Sequence, residues 1–179
     1  MKTNRRAIWF HIPFTGISVN KGQLSRPPLS LPFKDWVKHN ALELQLKGAI
    51  VAYVRNPYDR VILHYEEQCR NRRAISQYPI SFNDWCTKCF DRDRPDRFMQ
   101  NNPKEYLPQV AWLAGSEAYV QVHKVDQDAI QTKRPDIPYI KSMVSVDRSA
   151  YYSDTTAQLV RDWYREDFEF FNFDPNPEN

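Results

Sequence analysis

Apolar residues in the first part of the chain alternate between short runs and helical spacings. The segment Ala7-Ile-Trp-Phe-His-Ile12 has the composition of a strand and ends at Pro13. From Phe33 to Lys47, apolar residues fall largely on one face of a helix, which we expect to end at Gly48. Gly48-Ala-Ile-Val-Ala-Tyr-Val54 is a nearly continuous apolar run, which is typical of a parallel strand buried on both faces. The pattern therefore predicts a strand, a helix and a strand in succession.

An arginine and three helix-start signals follow the second apolar run. Arg55 comes directly after it, Asn56 suits a helix N-cap, Pro57 the first helical position and Asp59 the third. Free backbone N–H groups and the helix dipole favour negative charge at such a junction. The sequence therefore predicts an anion site where this strand ends, with Arg55 as its cation.

Caps, spacing and turn residues predict the remaining elements. These are a helix that starts at Ser81, a short helix Val110–Leu113, a strand Tyr119–His123, a short helix Asp126–Lys133, and a helix from Ser153 or Asp154 to Phe171. Strands that alternate with helices predict an α/β fold of three layers, with a small central parallel sheet flanked by helices. Such folds bind ligands at the carboxyl ends of their strands. We expect one domain over residues 1–173 and a frayed tail over residues 174–179.

Composition narrows the classes of protein that remain. Hydrophobic residues make up 41% and aromatic residues 14% of the 179 residues, which excludes a largely disordered chain. The net charge of +3 does not indicate a nucleic acid or an anionic membrane as partner. No apolar run approaches the roughly 18 residues of a membrane span, and three cysteines favour a reducing compartment over a disulfide framework. We expect a cytoplasmic protein.

Two motifs resemble those of a known enzyme family. His11-Ile-Pro-Phe-Thr-Gly-Ile-Ser18 resembles the 5′-phosphosulfate loop of the carbohydrate (family 2) sulfotransferases, whose usual form is H-I-P-K-T-G-G-T-S. Val54-Arg-Asn-Pro-Tyr-Asp-Arg60 resembles the 3′-phosphate motif of the family, V-R-N-P-x-x-R. Lys38-His-Asn-Ala-Leu-Glu43 and the stretch from Tyr151 to Phe173 are similar to two further family segments. The resemblance therefore covers nearly the whole chain.

The resemblance implies a P-loop-like, three-layer α/β fold and a sulfate donor, 3′-phosphoadenosine 5′-phosphosulfate (PAPS), with no metal. It implies that the donor is bound at Pro13, Phe14, Thr15, Gly16, Ile17, Ser18, Arg55 and Leu63. His39 lies in the segment where family members have a histidine, and is our candidate base for the acceptor hydroxyl, expected to belong to a saccharide. Sulfuryl transfer, like phosphoryl transfer, depends mainly on positioning and charge neutralisation.

Three of these positions depart from the family pattern. Phe14 stands where the family has a lysine, implied to neutralise the bridging oxygen as sulfate leaves. Ile17 replaces the second glycine of the loop, and Leu63 replaces a serine eight residues after the arginine. These departures favour an alternative, a catalytically degenerate relative that serves as a nucleotide-binding or protein-interaction module. A P-loop phosphotransferase is disfavoured because the first loop has no G-K-[ST] ending.

Other residues of chemically reactive or charged types have simpler structural interpretations. Cys86 and Cys89 form a C-x-x-C pair without a second pair, so we expect half-buried helix cysteines rather than a zinc or redox site. The basic cluster Arg70–Arg73 and the charged segment after it are typical of a solvated face. We expect structural roles for His64 and His123.

Overall fold

The structure, a computed structural model, describes residues 8–10, 12–13, 15, 31–44, 50–72, 80–90, 103–125 and 147–178. These residues divide into two compact units. The sheet unit comprises the described residues up to Arg55 and those from Gln109 to Val125. The helical unit comprises those from Asn56 to Pro108 and those from Asp147 onward. A single domain over residues 1–173 stays a prediction.

Within the described ranges, three short parallel strands form a sheet. They are β1 (Ile8–Phe10), β2 (Ile50–Arg55) and β3 (Val120–Val125), in the order β1-β2-β3. Every residue of β2 is buried, as expected for a central strand with an apolar run. The mixed α/β class and the small parallel sheet are confirmed, whereas the three-layer, P-loop-like arrangement stays a prediction.

The helices among the described residues are α1 (Phe33–Leu44), α2 (Pro57–Arg72), α3 (Phe82–Phe90), α4 (Gln109–Leu113), α5 (Asp154–Trp163) and α6 (Arg165–Phe171). Two 3-10 turns cover Pro103–Tyr106 and Arg148–Ala150. Helices α1 and α4 belong to the sheet unit and the others to the helical unit. None of the helices in the described part of the chain is long and apolar enough to cross a membrane.

Aromatic contacts attach α1 to the sheet. The ring of Phe10, the last residue of β1, lies 5.7 Å from the rings of both Phe33 and Trp36, measured between centroids. Both contacts have the edge-to-face geometry that aromatic pairs prefer. All three side chains are buried, so the face of α1 predicted from its spacing covers β1.

Aromatic side chains also form the core of the helical unit. Tyr58 of α2 lies 5.1 Å from Phe168 of α6, and Phe90 of α3 lies 5.7 Å from Tyr164, between ring centroids. Trp85 of α3 packs edge-on against Phe90 at 5.9 Å. The helical spacing of these residues therefore reflects packing in a core.

Side-chain caps place three helix starts where the sequence predicts them. The Asn56 Oδ1 accepts a hydrogen bond from the Tyr58 N–H at 3.0 Å, and α2 begins at Pro57. Ser81 Oγ accepts from the Asp84 N–H at 3.1 Å before α3. Ser153 caps α5 with a capping box. The predicted helix Asp126–Lys133 lies outside the described residues.

The last predicted helix is interrupted, which corrects the expectation of one continuous helix to Phe171. Tyr164 leaves helical geometry, with φ −104° and ψ 25°, so that α5 ends before it and α6 begins after it. The Asp167 N–H then bonds to the Tyr164 carbonyl at 2.9 Å, in a tighter i to i−3 turn. No glycine or proline marks the interruption.

The described part of the C-terminal tail makes two hydrogen bonds with the helical unit, while the frayed tail over residues 174–179 stays a prediction. The Asp174 carbonyl accepts a hydrogen bond from Asn56 Nδ2 at 3.3 Å. The Pro175 carbonyl accepts one from the Tyr58 hydroxyl at 2.9 Å. Both donors lie at the start of α2, so the cap of that helix and the tail are linked.

Candidate functional site

A buried turn follows β1 in the first motif. Ile12, Pro13 and Thr15 are all buried, and Thr15 Oγ1 donates a hydrogen bond to the Ile12 carbonyl at 2.9 Å. The hydroxyl hydrogen of Thr15 therefore closes the turn, which gives this residue a structural role beside the predicted role in anion binding. The predicted donor-binding positions Phe14, Gly16, Ile17 and Ser18 lie outside the described residues.

Arg55 is the last residue of β2 and has 6% of its surface exposed. Its backbone is held by one side chain from α4. The Arg55 N–H donates to Gln109 Oε1 at 2.8 Å, and Gln109 Nε2 donates to the Arg55 carbonyl at 2.8 Å. A permanently charged guanidinium is thus carried by a firmly fixed strand end.

The sheet brings the strands that precede the two motifs side by side. β1 and β2 are parallel neighbours, and Phe10 is in register with Ala52. β2 continues three residues beyond this pair to Arg55, which is about 10 Å of strand. Because carboxyl ends of parallel strands meet at one edge of a sheet, the turn at Ile12–Thr15 and Arg55 leave the sheet at the same edge.

The other two predicted site residues lie on helices. His39 is in α1, and its side chain lies outside the described part of the structure. Leu63 is half-buried on α2, six residues after Pro57, in the helical unit. The sheet unit thus contains Pro13, Thr15, Arg55 and the backbone of His39, whereas Leu63 belongs to the helical unit.

The second arginine of the motif, Arg60, has a structural environment. It is 2% exposed, and its guanidinium donates to the carbonyls of Leu107 at 2.9 Å and Glu105 at 3.2 Å. It also lies over the ring of Tyr164, 5.5 Å from the centroid. Arg60 therefore ties α2 to the segment before α4 and to the core of its own unit.

His64 is buried beside Arg60 in the helical unit, which confirms its expected structural role. Its Nε2 lies 2.8 Å from Gln68 Nε2 and 3.4 Å from Glu105 Oε2. Burial lowers the pKa of His64, although a hydrogen bond that the imidazole donates to the Glu105 carboxylate opposes this effect. Burial among aromatic side chains is typical of a histidine with a structural role.

Cys86 and Cys89 are fully buried on α3, rather than half-buried as expected from the sequence. Burial raises the pKa of the Cys86 thiol strongly, and the neighbouring Cys89 adds to this. The Cys89 Sγ lies 3.7 Å from the Tyr106 hydroxyl. This environment is typical of inert core cysteines.

Gln109 was not indicated by the sequence. It lies 54 residues after Arg55, and no spacing rule connects a glutamine to a strand that distant. The only local signal is its place at the start of the short apolar helix α4, which polar residues commonly begin. Its role follows from tertiary structure alone.

No family model, curated protein or solved structure matches this chain.

Proposed function

We propose that this protein binds PAPS and transfers its sulfate to a hydroxyl group of a saccharide. On this proposal the α/β architecture is of the three-layer, P-loop-like kind. The single observation that carries the proposal is the pairing of β1 with β2. Two motifs that resemble the 5′-phosphosulfate and 3′-phosphate motifs of a sulfotransferase family follow neighbouring parallel strands and leave the sheet at one edge.

The residues of this edge suit a ligand with two anionic groups. The described residues of the turn after β1 are buried, and the Thr15 hydroxyl bonds to the Ile12 carbonyl; on this proposal backbone N–H groups of the loop bind an anion. Arg55 supplies a guanidinium, which matches a phosphate with two parallel N–H donors. We assign the 3′-phosphate to Arg55 and the 5′-phosphosulfate to the loop Pro13–Ser18.

His39 is the proposed general base. In the proposed reaction it takes the proton of the acceptor hydroxyl, the hydroxyl oxygen forms a bond to sulfur, and the bond between sulfur and the nucleotide phosphate oxygen breaks. The products are the sulfated acceptor and 3′-phosphoadenosine 5′-phosphate (PAP). Arg55 holds the nucleotide in place, so that attack and departure are in line.

The second candidate function is a nucleotide-binding or protein-interaction module without catalysis. Phe14 favours it, because a phenyl ring cannot neutralise charge on the leaving oxygen. Leu63 favours it too, because its side chain cannot donate a hydrogen bond to a phosphate. The two candidates share the nucleotide site and differ in sulfate transfer.

Calorimetric titration with PAP tests the shared nucleotide site. We expect micromolar or tighter binding by the wild type and a loss of about 10-fold or more for Arg55→Ala, because a charge-assisted phosphate contact is removed. Arg55→Lys, which keeps the charge, should lose less. Arg165→Ala is the matched control, since its side chain is 65% exposed and lies in the helical unit. Absence of wild-type binding would overturn the proposal.

The Phe14→Lys variant distinguishes the proposed sulfotransferase from the non-catalytic module. If wild type binds PAP without turning over PAPS, we expect the lysine to create PAPS hydrolysis or sulfate transfer, measured by release of PAP. A variant that binds PAP and stays inactive would favour the module.

A further inference from the structure

The backbone of Arg55 is held by a side chain in the way a neighbouring strand would hold it. Gln109 offers Oε1 to the Arg55 N–H and Nε2 to the Arg55 carbonyl, both at 2.8 Å. Gln109 has no exposed surface, and Arg55 is also buried. Two short, buried hydrogen bonds in opposite directions make the amide of Gln109 a substitute for a peptide group.

Gln109 makes these bonds where β2 extends beyond the end of β1. The last register pair between them is Phe10 with Ala52, and the first motif follows β1 from there. Arg55 is in register with Val125 of β3, and its N–H and carbonyl bond to Gln109, so these two backbone groups are satisfied without a strand at the carboxyl end of β1, where we assign the ligand. The Gln109 side chain reaches from α4 and makes both bonds, so no further strand is added at the carboxyl ends of β1 and β2.

We propose that Gln109 is a positioning residue for the 3′-phosphate of the nucleotide, and that it acts through the backbone of Arg55. This inference rests on the proposed function, since it assigns Arg55 to the 3′-phosphate. The physical reason is the length of the arginine side chain. A small rotation of a strand end moves a guanidinium by an ångström or more, and a displacement of that size is costly to a fixed ionic contact.

Selectivity for the 3′-phosphate separates positioning from general support of the sheet. PAP and adenosine 5′-monophosphate (AMP) differ only by that phosphate, so their affinity ratio reports the Arg55 contact. Gln109→Met keeps the size of the side chain and removes both hydrogen bonds. Gln158→Met is the matched control, because Gln158 is an exposed glutamine on α5 in the helical unit.

The experiment measures dissociation constants of PAP and AMP for wild type, Arg55→Ala, Gln109→Met and Gln158→Met. We expect wild type and Gln158→Met to prefer PAP by about 10-fold or more. Gln109→Met should lose most of that preference, to within about 3-fold of Arg55→Ala, while its AMP affinity stays within about 2-fold of wild type. Should Gln109→Met fail to fold, Gln109→Asn, which keeps the amide but shortens its reach, serves in its place.

Three results would overturn the inference, and they are distinguishable. An unchanged PAP preference in the Gln109 variant shows that Gln109 does not position Arg55, while the nucleotide site stands. An equal loss of PAP and AMP affinity shows that Gln109 only supports the sheet. A wild type that binds neither nucleotide, or both equally, removes the proposed function and this inference together.

Discussion

The helical unit and the sheet unit use their buried polar side chains differently. In the helical unit, Arg60 and His64 lie inside an aromatic core, and their ring or guanidinium atoms contact groups of the same unit. In the sheet unit, Thr15, Arg55 and Gln109 lie along or after the carboxyl ends of β1 and β2. Charge in the first setting holds helices together, whereas charge in the second lies where parallel sheets bind ligands.

The comparison is sharpest within the motif that spans both units. Arg55 and Arg60 are five residues apart and both are buried. The sequence predicts an anion-binding role for Arg55, which directly follows an apolar strand, and not for Arg60, although both belong to the same motif. The structure assigns the guanidinium of Arg60 to the Leu107 and Glu105 carbonyls, which leaves Arg55 as the arginine of the candidate site.

Replacing Arg60 should have the largest effect on stability. Arg60→Ala removes two charge-assisted hydrogen bonds and a cation–π contact from a buried position. We expect the free energy of unfolding to fall by about 3–5 kcal/mol, measured by chemical denaturation. Arg165→Ala, an exposed arginine of the same unit, should change it by less than about 0.5 kcal/mol. Similar losses in the two variants would contradict a structural role for Arg60.

Local signals predicted the elements better than they predicted the contacts. The caps Asn56, Ser81 and Ser153 bond to groups within three residues, so local sequence predicts them. The apolar run of β2 likewise predicts that this strand is buried. The interruption at Tyr164 could not be predicted from the sequence, because the helical spacing of apolar residues continues across it. Tertiary packing can change the backbone conformation of one residue within a periodic segment, and local sequence does not show this.

The candidate site divides in the same way. Arg55 was predicted because an arginine that follows an apolar run into an N-cap is a local pattern. Gln109 was missed because its partner is 54 residues away. The structural role of the Thr15 hydroxyl was also missed, since a hydroxyl in a glycine turn suits an anion and a carbonyl equally well.

The second expected effect is smaller, because it involves a single proton on His64. Burial lowers the pKa of His64 in the folded protein below its ordinary 6.5. The unfolded chain therefore binds a proton more readily, and stability that is complete above pH 6.5 is lost as the pH falls through 6.5 towards the folded pKa. We expect His64→Gln to lose less unfolding free energy than wild type between about pH 7.5 and about pH 5.5.

Glu105 and Arg60 also affect the pKa of His64, which matters for the interpretation of this experiment. The Glu105 contact raises the pKa of His64 and the charge of Arg60 lowers it, so both must stay in place in the comparison. The difference between wild type and His64→Gln cancels the titration of the other three histidines. Equal pH dependence in the two proteins would show that His64 is not held neutral by the core.

The smallest effect concerns the tail, and it tests whether the helical unit extends to the end of the described chain. Deletion of residues 174–179 removes the acceptors of Asn56 Nδ2 and the Tyr58 hydroxyl, so unfolding should become easier by about 1 kcal/mol. Tyr58→Phe removes the shorter of the two bonds, together with the contacts of the hydroxyl with Ala157 and Arg161. The deletion should therefore cost less in that background, and a double-mutant cycle in chemical denaturation separates this coupling from the other contacts. A deletion that is neutral in both backgrounds would return the tail to the frayed state predicted from the sequence. An equal cost in both backgrounds would assign the stabilisation to Asn56, whose side chain also caps α2.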